Sequence, residues 1–320
     1  MARPTEMLNF SIIIPHHNIP KLLERCLASI PQRDDTEVIV VDDNSDPEIV
    51  DFDNFPGKGR ADVTILHNDG KKWAGTARNR GIEAASGRWL IFADADDFFN
   101  FCLSNLLDKY AESDADIVFF KANSLDGEMY CASPKTERRV RHINKYFNKY
   151  LAGDKMGETL LRYAWGEPWA KMYKRSLVEK HNIRFDETPI HEDTIFTYTA
   201  GYHARKVAAD PHCIYCVTYR PGSLSSTVSE EKLLARVEVF ARKERFMRDN
   251  TEYTILDKID RSHYEAWTEL VLGRHPKREA AKETLKRYGL CHCGTYLWFL
   301  YFSVKLACKA TLRIICKSKA

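Results

Sequence analysis

The sequence predicts an α/β fold in which helices flank a central, mostly parallel sheet, with a helical extension at the C-terminal end. Three observations predict it: short apolar runs end in acidic residues, segments with helical spacing separate these runs, and the pattern after residue 225 is helical. The chain has 320 residues, of which 44% are hydrophobic and 29% charged, which is ample for one large domain. We therefore expect one domain over residues 1–225 and a helical region over 226–320.

The first hundred residues alternate between strands and helices. A β-α-β unit opens the chain, because two apolar runs enclose a segment whose apolar residues recur at helical spacing. A third strand, a second helix and a fourth strand follow, and the fourth strand runs directly into acidic residues. The predicted strands are 10–14, 37–41, 63–66 and 89–93, and the predicted helices are 19–30 and 75–85.

Beyond residue 100 the pattern is less regular. The stretch 123–148 is polar and rich in Lys and Arg, and we expect it to form a mobile loop because it shows little apolar periodicity. Helices are predicted on both sides of it, and one of them has Glu192 and Asp193 in its first turn. The further predicted helices are 103–110, 174–181 and 190–200, and the further strands are 116–120, 207–209 and 213–219.

Acidic residues follow two of the predicted strands. Asp42 and Asp43 end the second strand, and Asp94, Asp96 and Asp97 follow the fourth. Parallel sheets place their ligand sites at the carboxyl ends of the strands, so these carboxylates converge on one edge. Carboxylates this close repel each other unless a cation compensates them, and Mg²⁺ and Mn²⁺ prefer such oxygen ligands. The sequence therefore predicts a site for Mg²⁺ or Mn²⁺ there, and the alternative is a solvated acidic turn.

Composition and cysteine usage indicate a cytoplasmic protein. The mean hydropathy of −0.43 and the absence of low-complexity runs argue against a polytopic membrane protein and against disorder. The residues before Phe10 lack the basic-then-apolar order of a secretory signal. Nine cysteines, an odd number scattered from Cys26 to Cys316, fit a reducing compartment better than a disulfide framework.

Positive charge is concentrated at the C-terminal end of the chain. Residues 271–320 contain 11 basic and 2 acidic residues, a net charge of +9 in a chain whose total is +3. Within them, segment 296–315 is predicted as an amphipathic helix that carries basic residues at four-residue intervals beside aromatic ones. This pattern favours attachment to an anionic membrane surface over nucleic-acid binding, and we predict no nucleic-acid partner. The alternative is a helix packed on the catalytic domain with an exposed basic stripe.

Five motifs in a fixed order resemble the family 2 glycosyltransferases of GT-A fold, the large group that builds bacterial surface polysaccharides. The resemblance covers roughly residues 8–225, and its specificity comes from the ordered set rather than from any one motif. It implies a nucleotide-binding half over 8–97 and an acceptor half over 98–225. The motifs are Ser11–Asn18, Val38–Ser45, Gly75–Gly81, Gly87–Asp97 and Glu192–Asp193.

The resemblance implies an inverting transfer of a sugar from a nucleotide-diphosphate sugar, with UDP as the expected nucleotide, to a saccharide or a lipid-linked saccharide. Asp43 is expected to accept a hydrogen bond from the uracil N–H. Asp94 is expected to bind the ribose or the metal ion, and Asp96 to coordinate the metal ion that bridges the diphosphate. The remaining implied donor contacts are Pro15, His17 and Asn18 in the first loop, where the family more often has Tyr at the position of His17, together with Arg78 and Arg220.

Catalysis is expected at the pair Glu192 and Asp193. The resemblance implies that Asp193 acts as general base, since a sugar hydroxyl must lose its proton as it attacks the anomeric carbon. The alternative is that these acids only stabilise a helix N-terminus. Trp165 and Trp169 lie in a segment that resembles the one preceding this pair in the family, and they are expected either to contact the acceptor or to belong to the core.

Two other protein classes share an acidic residue after a strand. A phosphoaspartate receiver module begins with the strand that carries its acidic pair, whereas here a complete strand and helix come first. A haloacid-dehalogenase-like phosphatase uses an Asp-x-Asp motif with the first Asp as nucleophile, usually after its first strand. Both remain alternatives to the glycosyltransferase interpretation at the level of sequence.

Overall fold

The computed structural model describes residues 8–69, 72–127, 131, 134–219, 229–250 and 278–290. The strands are β1 Phe10–His16, β2 Thr36–Asp42, β3 Val63–His67, β4 Trp89–Phe92, β5 Phe98–Phe99, β6 Ile117–Asp126, β7 Lys171–Lys174 and β8 Val207–Tyr219. The helices are α1 Pro20–Ala28, α2 Ala74–Ala84, α3 Leu103–Tyr110, α4 Pro134–Leu151, α5 Gly157–Tyr163, α6 Arg175–Lys180, α7 Asp193–His203, α8 Glu230–Asn250 and α9 Arg278–Arg287.

The described strands form one sheet of order β3-β2-β1-β4-β7-β6-β8-β5. The strands β3, β2, β1 and β4 pair in parallel, as do β6 and β8, whereas β7 and β5 pair antiparallel with their neighbours. The predicted α/β fold with a mostly parallel central sheet is therefore confirmed. None of the described helices combines the length and the apolar character that crossing a membrane requires.

The central strands are buried on both faces. Ile12, Ile13 and Ile14 of β1 are all fully buried, and so are Val38 and Val40 of β2. Continuous apolar strands of this kind occur where helices cover both faces of a parallel sheet. The sheet thus presents its carboxyl-end loops, rather than its faces, for ligand binding.

The prediction of a loop over 123–148 is wrong. Strand β6 continues to Asp126, and α4 occupies 134–151. Val140, Ile143 and Phe147 of α4 are buried at helical spacing of three and four residues. This apolar stripe is narrow, and the many Lys and Arg residues between its members conceal it in the sequence.

The two strands predicted over 207–219 are one strand, β8, with an irregular register opposite β6 between Phe120 and Ala122. Asp210 is fully buried at this irregularity and accepts hydrogen bonds from Lys109 Nζ at 2.6 Å and from the Tyr110 hydroxyl at 3.0 Å. Burial alone would raise the pKa of Asp210, but its hydrogen bonds from Lys109 and His212 outweigh burial and lower the pKa to about 2. A buried carboxylate therefore satisfies the polar groups at the irregularity.

The chain divides into two compact units, Met1–Ser223 and Leu224–Ala320. The second unit contains α8 and α9, whose small core includes Leu233, Val237 and Leu285. The division lies next to the boundary expected at residue 225, although the assignment of separate functions to the two regions stays a prediction. Arg220 and the segment 296–315 lie outside the described residues.

Candidate active site

The turn after β4 brings three carboxylates together. Asp94, Asp96 and Asp97 each offer a ligand oxygen, and these oxygens lie within 4.8 Å of one another. Asp97 is 2% exposed, and its burial together with the charges of Asp96 and Asp94 raises its pKa well above the usual range. The arrangement fits a divalent cation, because the cluster offers only hard oxygen ligands and concentrates negative charge that a cation would offset. We call residues 94–97 the acid turn.

Strand β8 and helix α1 hold the backbone of the acid turn. The amide of Asp94 donates to the Tyr215 hydroxyl at 2.8 Å, and the amide of Thr218 donates to Asp97 Oδ1 at 2.6 Å. The Asp96 carbonyl accepts a hydrogen bond from Arg25 at 2.5 Å and another from the Thr218 hydroxyl. Sequence reasoning did not identify Tyr215, Thr218 or Arg25, because these residues lie far from the acid turn along the chain.

Arg78 on α2 joins the acid turn to the second acidic motif. Its guanidinium donates to Asp94 Oδ1 at 2.6 Å and to Glu192 Oε1 at 2.8 Å, and only 5% of its side chain is exposed. Burial alone would lower the pKa of Arg78, but the charges of Asp94 and Glu192 outweigh burial and raise it. Asp94 and Glu192 therefore lie within the span of one guanidinium.

Helix α2 also positions the segment that leads to Glu192. Asn79 donates from its side-chain amide to the Phe185 carbonyl at 2.9 Å and accepts from the Phe185 amide at 2.8 Å. A Cβ atom at Gly75 would lie 1.9 Å from the Asp186 carbonyl oxygen, so this approach requires glycine. The Asp186 amide in turn donates to the Glu192 carbonyl at 2.9 Å. The residues of the Gly75–Gly81 motif thus determine where Glu192 and Asp193 lie.

The two acids at the end of β2 occupy different environments. Asp42 is 1% exposed and forms a hydrogen bond with His16 Nδ1 at 2.9 Å. Burial alone would raise the pKa of Asp42, but its hydrogen bonds with His16 and Ser45 lower it overall. Asp43 is half-buried and accepts from the Asn68 side chain at 2.8 Å and from the Trp73 amide at 2.9 Å. A carboxylate has about four acceptor positions, so Asp43 retains capacity for a ligand donor.

The loop after β1 lies beside Asp43. His17 is exposed and forms a hydrogen bond through Nδ1 with the Asp43 carbonyl at 2.8 Å. Pro15, two residues earlier, is half-buried. Asn18 has a positive φ of 57° and accepts from the Asp46 amide at 2.7 Å through its side-chain oxygen. The structure therefore brings Pro15, His17 and Asn18 together with Asp43 at one end of the sheet.

Asp193 is the first residue of α7, and Glu192 immediately precedes the helix. Lys171 on β7 is 2% exposed, and its Nζ donates to the Trp165 and Glu167 carbonyls, each at 2.8 Å. Burial lowers the pKa of Lys171 to about 7, against the opposing influence of the Glu167 and Asp193 charges. Sequence reasoning missed Lys171, because it predicted no strand over residues 171–174 and therefore no buried position for a lysine there.

Trp165 and Trp169 belong to the core. They are 0% and 1% exposed, and Trp169 stacks on Tyr215 with a centroid distance of 5.5 Å. Lys171 Nζ lies 4.6 Å from the centroid of a Trp165 ring. Neither indole offers a face to an acceptor in this structure, so of the two expectations stated for these residues the core assignment holds and acceptor contact does not.

Residues 11–181 match the sequence profile described as Glycosyl transferase family 2. The chain belongs to this family. Among its relatives are the uncharacterized glycosyltransferase EpsJ of Bacillus subtilis, 30% identical over 67% of this chain and 62% of EpsJ, and the uncharacterized glycosyltransferase YibD of Escherichia coli, 27% identical over 64% of this chain and 60% of YibD. The matched part of the chain thus spans less than two thirds of the length of these two relatives.

Two solved structures share the fold. Residues 1–349 of Staphylococcus aureus TarS, solved in complex with UDP-GlcNAc, match with a TM-score of 0.61 and 21% identity over 88% of this chain and 80% of that 1–349 chain. The mannosyltransferase PcManGT of Pyrobaculum calidifontis, solved with GDP-Man and Mn²⁺, matches with a TM-score of 0.55 and 16% identity over 95% of this chain and 81% of PcManGT. The GT-A fold expected of a family 2 glycosyltransferase is confirmed, and membership of this family excludes the receiver and phosphatase alternatives.

Proposed function

We propose that this family 2 glycosyltransferase transfers a sugar, with inversion, from a UDP-sugar to a saccharide or a lipid-linked saccharide in cell-surface polysaccharide synthesis. The observation that carries the proposal is the ion bridge of Arg78 between Asp94 and Glu192. This bridge holds Asp94, which we assign to the donor side, close to Glu192, which belongs to the acidic pair that we assign to the acceptor side. Inverting transfer requires both groups at one reaction centre.

Asp193 is the general base of the proposed reaction. The acceptor hydroxyl gives its proton to the Asp193 carboxylate, its oxygen forms a bond to the anomeric carbon, and the bond from that carbon to the diphosphate oxygen breaks on the opposite face. Glu192 suits this role less, because its carboxylate accepts a hydrogen bond from the Arg78 guanidinium. The role we assign to Glu192 is to position Arg78 and to offset its charge.

The proposed donor site uses the end of β2 and the loop after β1. Asp43 would accept from the uracil N–H, and Pro15, His17 and Asn18 would form one wall of the nucleotide pocket. The TarS complexes with UDP-GlcNAc and UDP support a uridine nucleotide. The PcManGT complex with GDP-Man makes a guanosine nucleotide the competing possibility. Arg220, which lies outside the described residues, stays a predicted contact of the diphosphate.

Asp94 and Asp96 are the proposed ligands of Mg²⁺ or Mn²⁺, and Asp97 completes the cluster of carboxylates. A bound divalent cation supplies Lewis-acid compensation of the charge that develops on the leaving diphosphate. The Mn²⁺ in the PcManGT complex supports this cofactor class. We place the enzyme in the cytoplasm at the inner face of the cell membrane, where a lipid-linked acceptor would be available.

The test is a panel of UDP- and GDP-sugars incubated with the purified chain and Mn²⁺, with release of free nucleoside diphosphate as the readout. Once a donor is known, Asp193→Asn should reduce turnover about a hundredfold or more with donor affinity little changed, because the amide keeps the size and loses the basicity. Glu187→Gln, an exposed acid in the same segment, is the matched control and should keep its activity. If no nucleotide sugar is turned over, or if Asp193→Asn retains full turnover, the proposal fails.

A further inference from the structure

Helix α4 carries more positive charge than any role described so far requires. Its 18 residues include six Lys or Arg and one Glu, whereas the whole chain is nearly balanced at 48 basic and 45 acidic residues. The inward face of the helix is fixed by Val140, Ile143 and Phe147, which are at most 4% exposed. Arg141 and Lys145 consequently lie on the outward side, and both are exposed.

An open groove of about 990 Å³ runs between α4 and the end of β6. Asn144 forms part of it and fixes the helix to the sheet, since its side chain donates to the Ala122 carbonyl at 2.9 Å and accepts from the Ala122 amide at 3.5 Å. Amides, one hydroxyl and cations line the groove together with the carboxylates of Glu137 and Asp154. The α4 groove, as we call it, is lined among others by Asn123, Ser124, Arg141, Asn144, Lys145 and Lys149.

The cations of the α4 groove are available to a ligand. Arg141 pairs with Glu137 at 2.7 Å and Lys149 with Asp154 at 3.2 Å, but these pairs are exposed and are therefore worth little. Among the residues that the structure describes, Lys145 has no ion-pair partner. A ligand with several anionic groups can replace the two carboxylates and also engage Lys145.

The groove begins at the edge of the sheet where the acid turn lies. Asn123 accepts a hydrogen bond from the Asn100 side chain at 2.9 Å, and Asn100 follows the acid turn by three residues. Strand β6 runs in the same direction as β4, so its carboxyl end points to the same edge. A ligand that extends from the proposed reaction centre along β6 would enter the α4 groove.

We propose that the α4 groove binds an anionic stretch of the acceptor, with phosphate or carboxylate groups carried on a saccharide chain. This proposal rests on the proposed function, because it names the class of acceptor for the same reaction. A chain fits the site better than a membrane surface, since the lining places the amides of Asn123 and Asn144 beside the cations, where they can bind sugar hydroxyls. The cations bind the anionic groups, and the amides of Asn123 and Asn144 bind the neutral ones.

The test uses the full-length chain with two matched probes, a short dextran sulfate and uncharged dextran of the same length. Binding is measured by calorimetry and located by hydrogen–deuterium exchange. The double variant Arg141→Gln/Lys145→Gln is compared with the control Arg205→Gln/Lys206→Gln. The control removes the same two charges from the exposed residues just before β8, and one of them, Lys206, is also ion-paired. UDP affinity is measured in every variant as a control for folding and for the donor site.

We expect dextran sulfate, and not dextran, to protect the amides of α4. The α4 variant should lose affinity about tenfold, as two charge-assisted hydrogen bonds at an exposed site would predict, and should lose this protection. The control variant should keep its affinity for dextran sulfate and the protection of the α4 amides. Equal losses in the two variants, or protection confined to other segments, would overturn the proposal.

A second arm separates an acceptor chain from a membrane. Vesicles of phosphatidylglycerol and phosphatidylcholine replace the dextrans, and protection of α4 by vesicles but not by dextran sulfate would assign the surface to lipid and refute the acceptor. Failure of the proposed function shows differently, as a chain that binds no UDP and turns over no nucleotide sugar. Even in that case, hydrogen–deuterium exchange at α4 in the presence of dextran sulfate decides whether the groove binds anions.

Discussion

Arg78 is the residue that most constrains the candidate active site. Its two ion pairs, with Asp94 and Glu192, cross between segments that are distant in sequence, and its guanidinium lies over the Phe185 ring at 5.3 Å. A buried cation with two carboxylate partners has few alternative positions, because any other arrangement leaves a buried charge without compensation. The two ion pairs thus restrict the positions of Asp94 and Glu192, to which we assign roles in the proposed reaction.

Replacement of Gly75 by alanine should displace the acidic pair. A Cβ at this position would lie 1.9 Å from the Asp186 carbonyl oxygen and 3.0 Å from Glu192 Cβ, so the backbone of the 186–192 segment must move. We expect turnover to fall at least about tenfold, since displacements of roughly 1 Å have large effects on rate. The control is Gly59→Ala, where a Cβ would meet nothing within 4 Å. Unchanged turnover in Gly75→Ala would contradict this account of how α2 positions Asp193.

Lys171 should make the free energy of unfolding depend on pH. Its folded pKa of about 7 lies below the ordinary value of 10.5, so between these values the unfolded chain binds more protons than the native one. Native stability therefore rises as pH increases through this window, by roughly 1 to 2 kcal/mol between about pH 7 and pH 8.5. Urea unfolding at both pH values should show this increase in the wild type, and Lys171→Met should lack it.

The exposed lysine Lys180 is the control for this measurement. Lys180→Met removes a charge of the same type without removing a buried group, so it should retain the wild-type increase. If Lys171→Met shows the same pH dependence as the wild type, the buried ammonium is not its source.

Among the elements, β8 holds the acid turn of the candidate active site in place. Its fully buried Asp210 stabilises the irregular pairing with β6, and its later residues Tyr215 and Thr218 bind the acid turn. One strand therefore positions the carboxylates that we assign to the metal ion. Helix α4 packs on the same region of the sheet and brings its basic face to the neighbouring groove.

The variant Thr218→Val tests this role of β8. Valine has nearly the same shape as threonine and leaves the hydrogen bond from the backbone amide to Asp97 in place. It removes the hydroxyl, which donates to the Asp96 carbonyl and accepts from Arg25 at 3.2 Å. We expect Mn²⁺-dependent UDP affinity to fall at least about threefold to tenfold, the range for one lost hydrogen bond, because the variant loses two. Calorimetric titration of UDP in the presence of Mn²⁺, and again in the presence of EDTA, measures the metal-dependent part of the affinity. Thr64→Val on β3, an exposed position, should leave affinity unchanged, and equal behaviour of the two variants would contradict the prediction.

At the level of the whole molecule, charge is distributed unevenly. Residues 271–320 have a net charge of +9, which leaves a net charge of −6 for the rest of the chain. Every described residue of the candidate active site lies in the unit Met1–Ser223. The two ends of the chain therefore differ in net charge, and attachment through the C-terminal region stays a prediction.

Segment 296–315 is predicted to attach the protein to anionic membranes. The full chain should sediment with vesicles that contain phosphatidylglycerol, and high salt should weaken this, because each basic residue at the surface contributes about 1 kcal/mol. Deletion of 296–320 should abolish sedimentation and keep UDP binding. The triple variant Lys305→Gln/Lys309→Gln/Arg313→Gln should reduce sedimentation without a deletion. If the deletion instead unfolds a protein that never bound vesicles, the segment belongs to a folded core.

Strong local patterns account for the predictions that held. The apolar strands and their acidic ends were recognisable because burial on both faces demands continuous Ile and Val, and the motif order predicted the family. Helix α4 was missed because few of its described apolar side chains are fully buried, among them Val140, Ile143 and Phe147, and charged residues lie between them in the sequence. Trp165 and Trp169 could be assigned to acceptor or core only by their burial, which sequence patterns do not report for aromatic residues.

The sequence by itself determined the α/β class, the family and the identities of the acids that carry the proposed chemistry, since these depend on local periodicity and on motifs. Only the tertiary structure decided which of these residues meet. Arg78 lies 114 positions before Glu192, and Thr218 lies 122 positions after Asp96, yet both pairs are hydrogen-bonded. Such contacts arise from the packing of α2 and β8 against the sheet, and one sequence contains no periodic signal for a pairing over that distance.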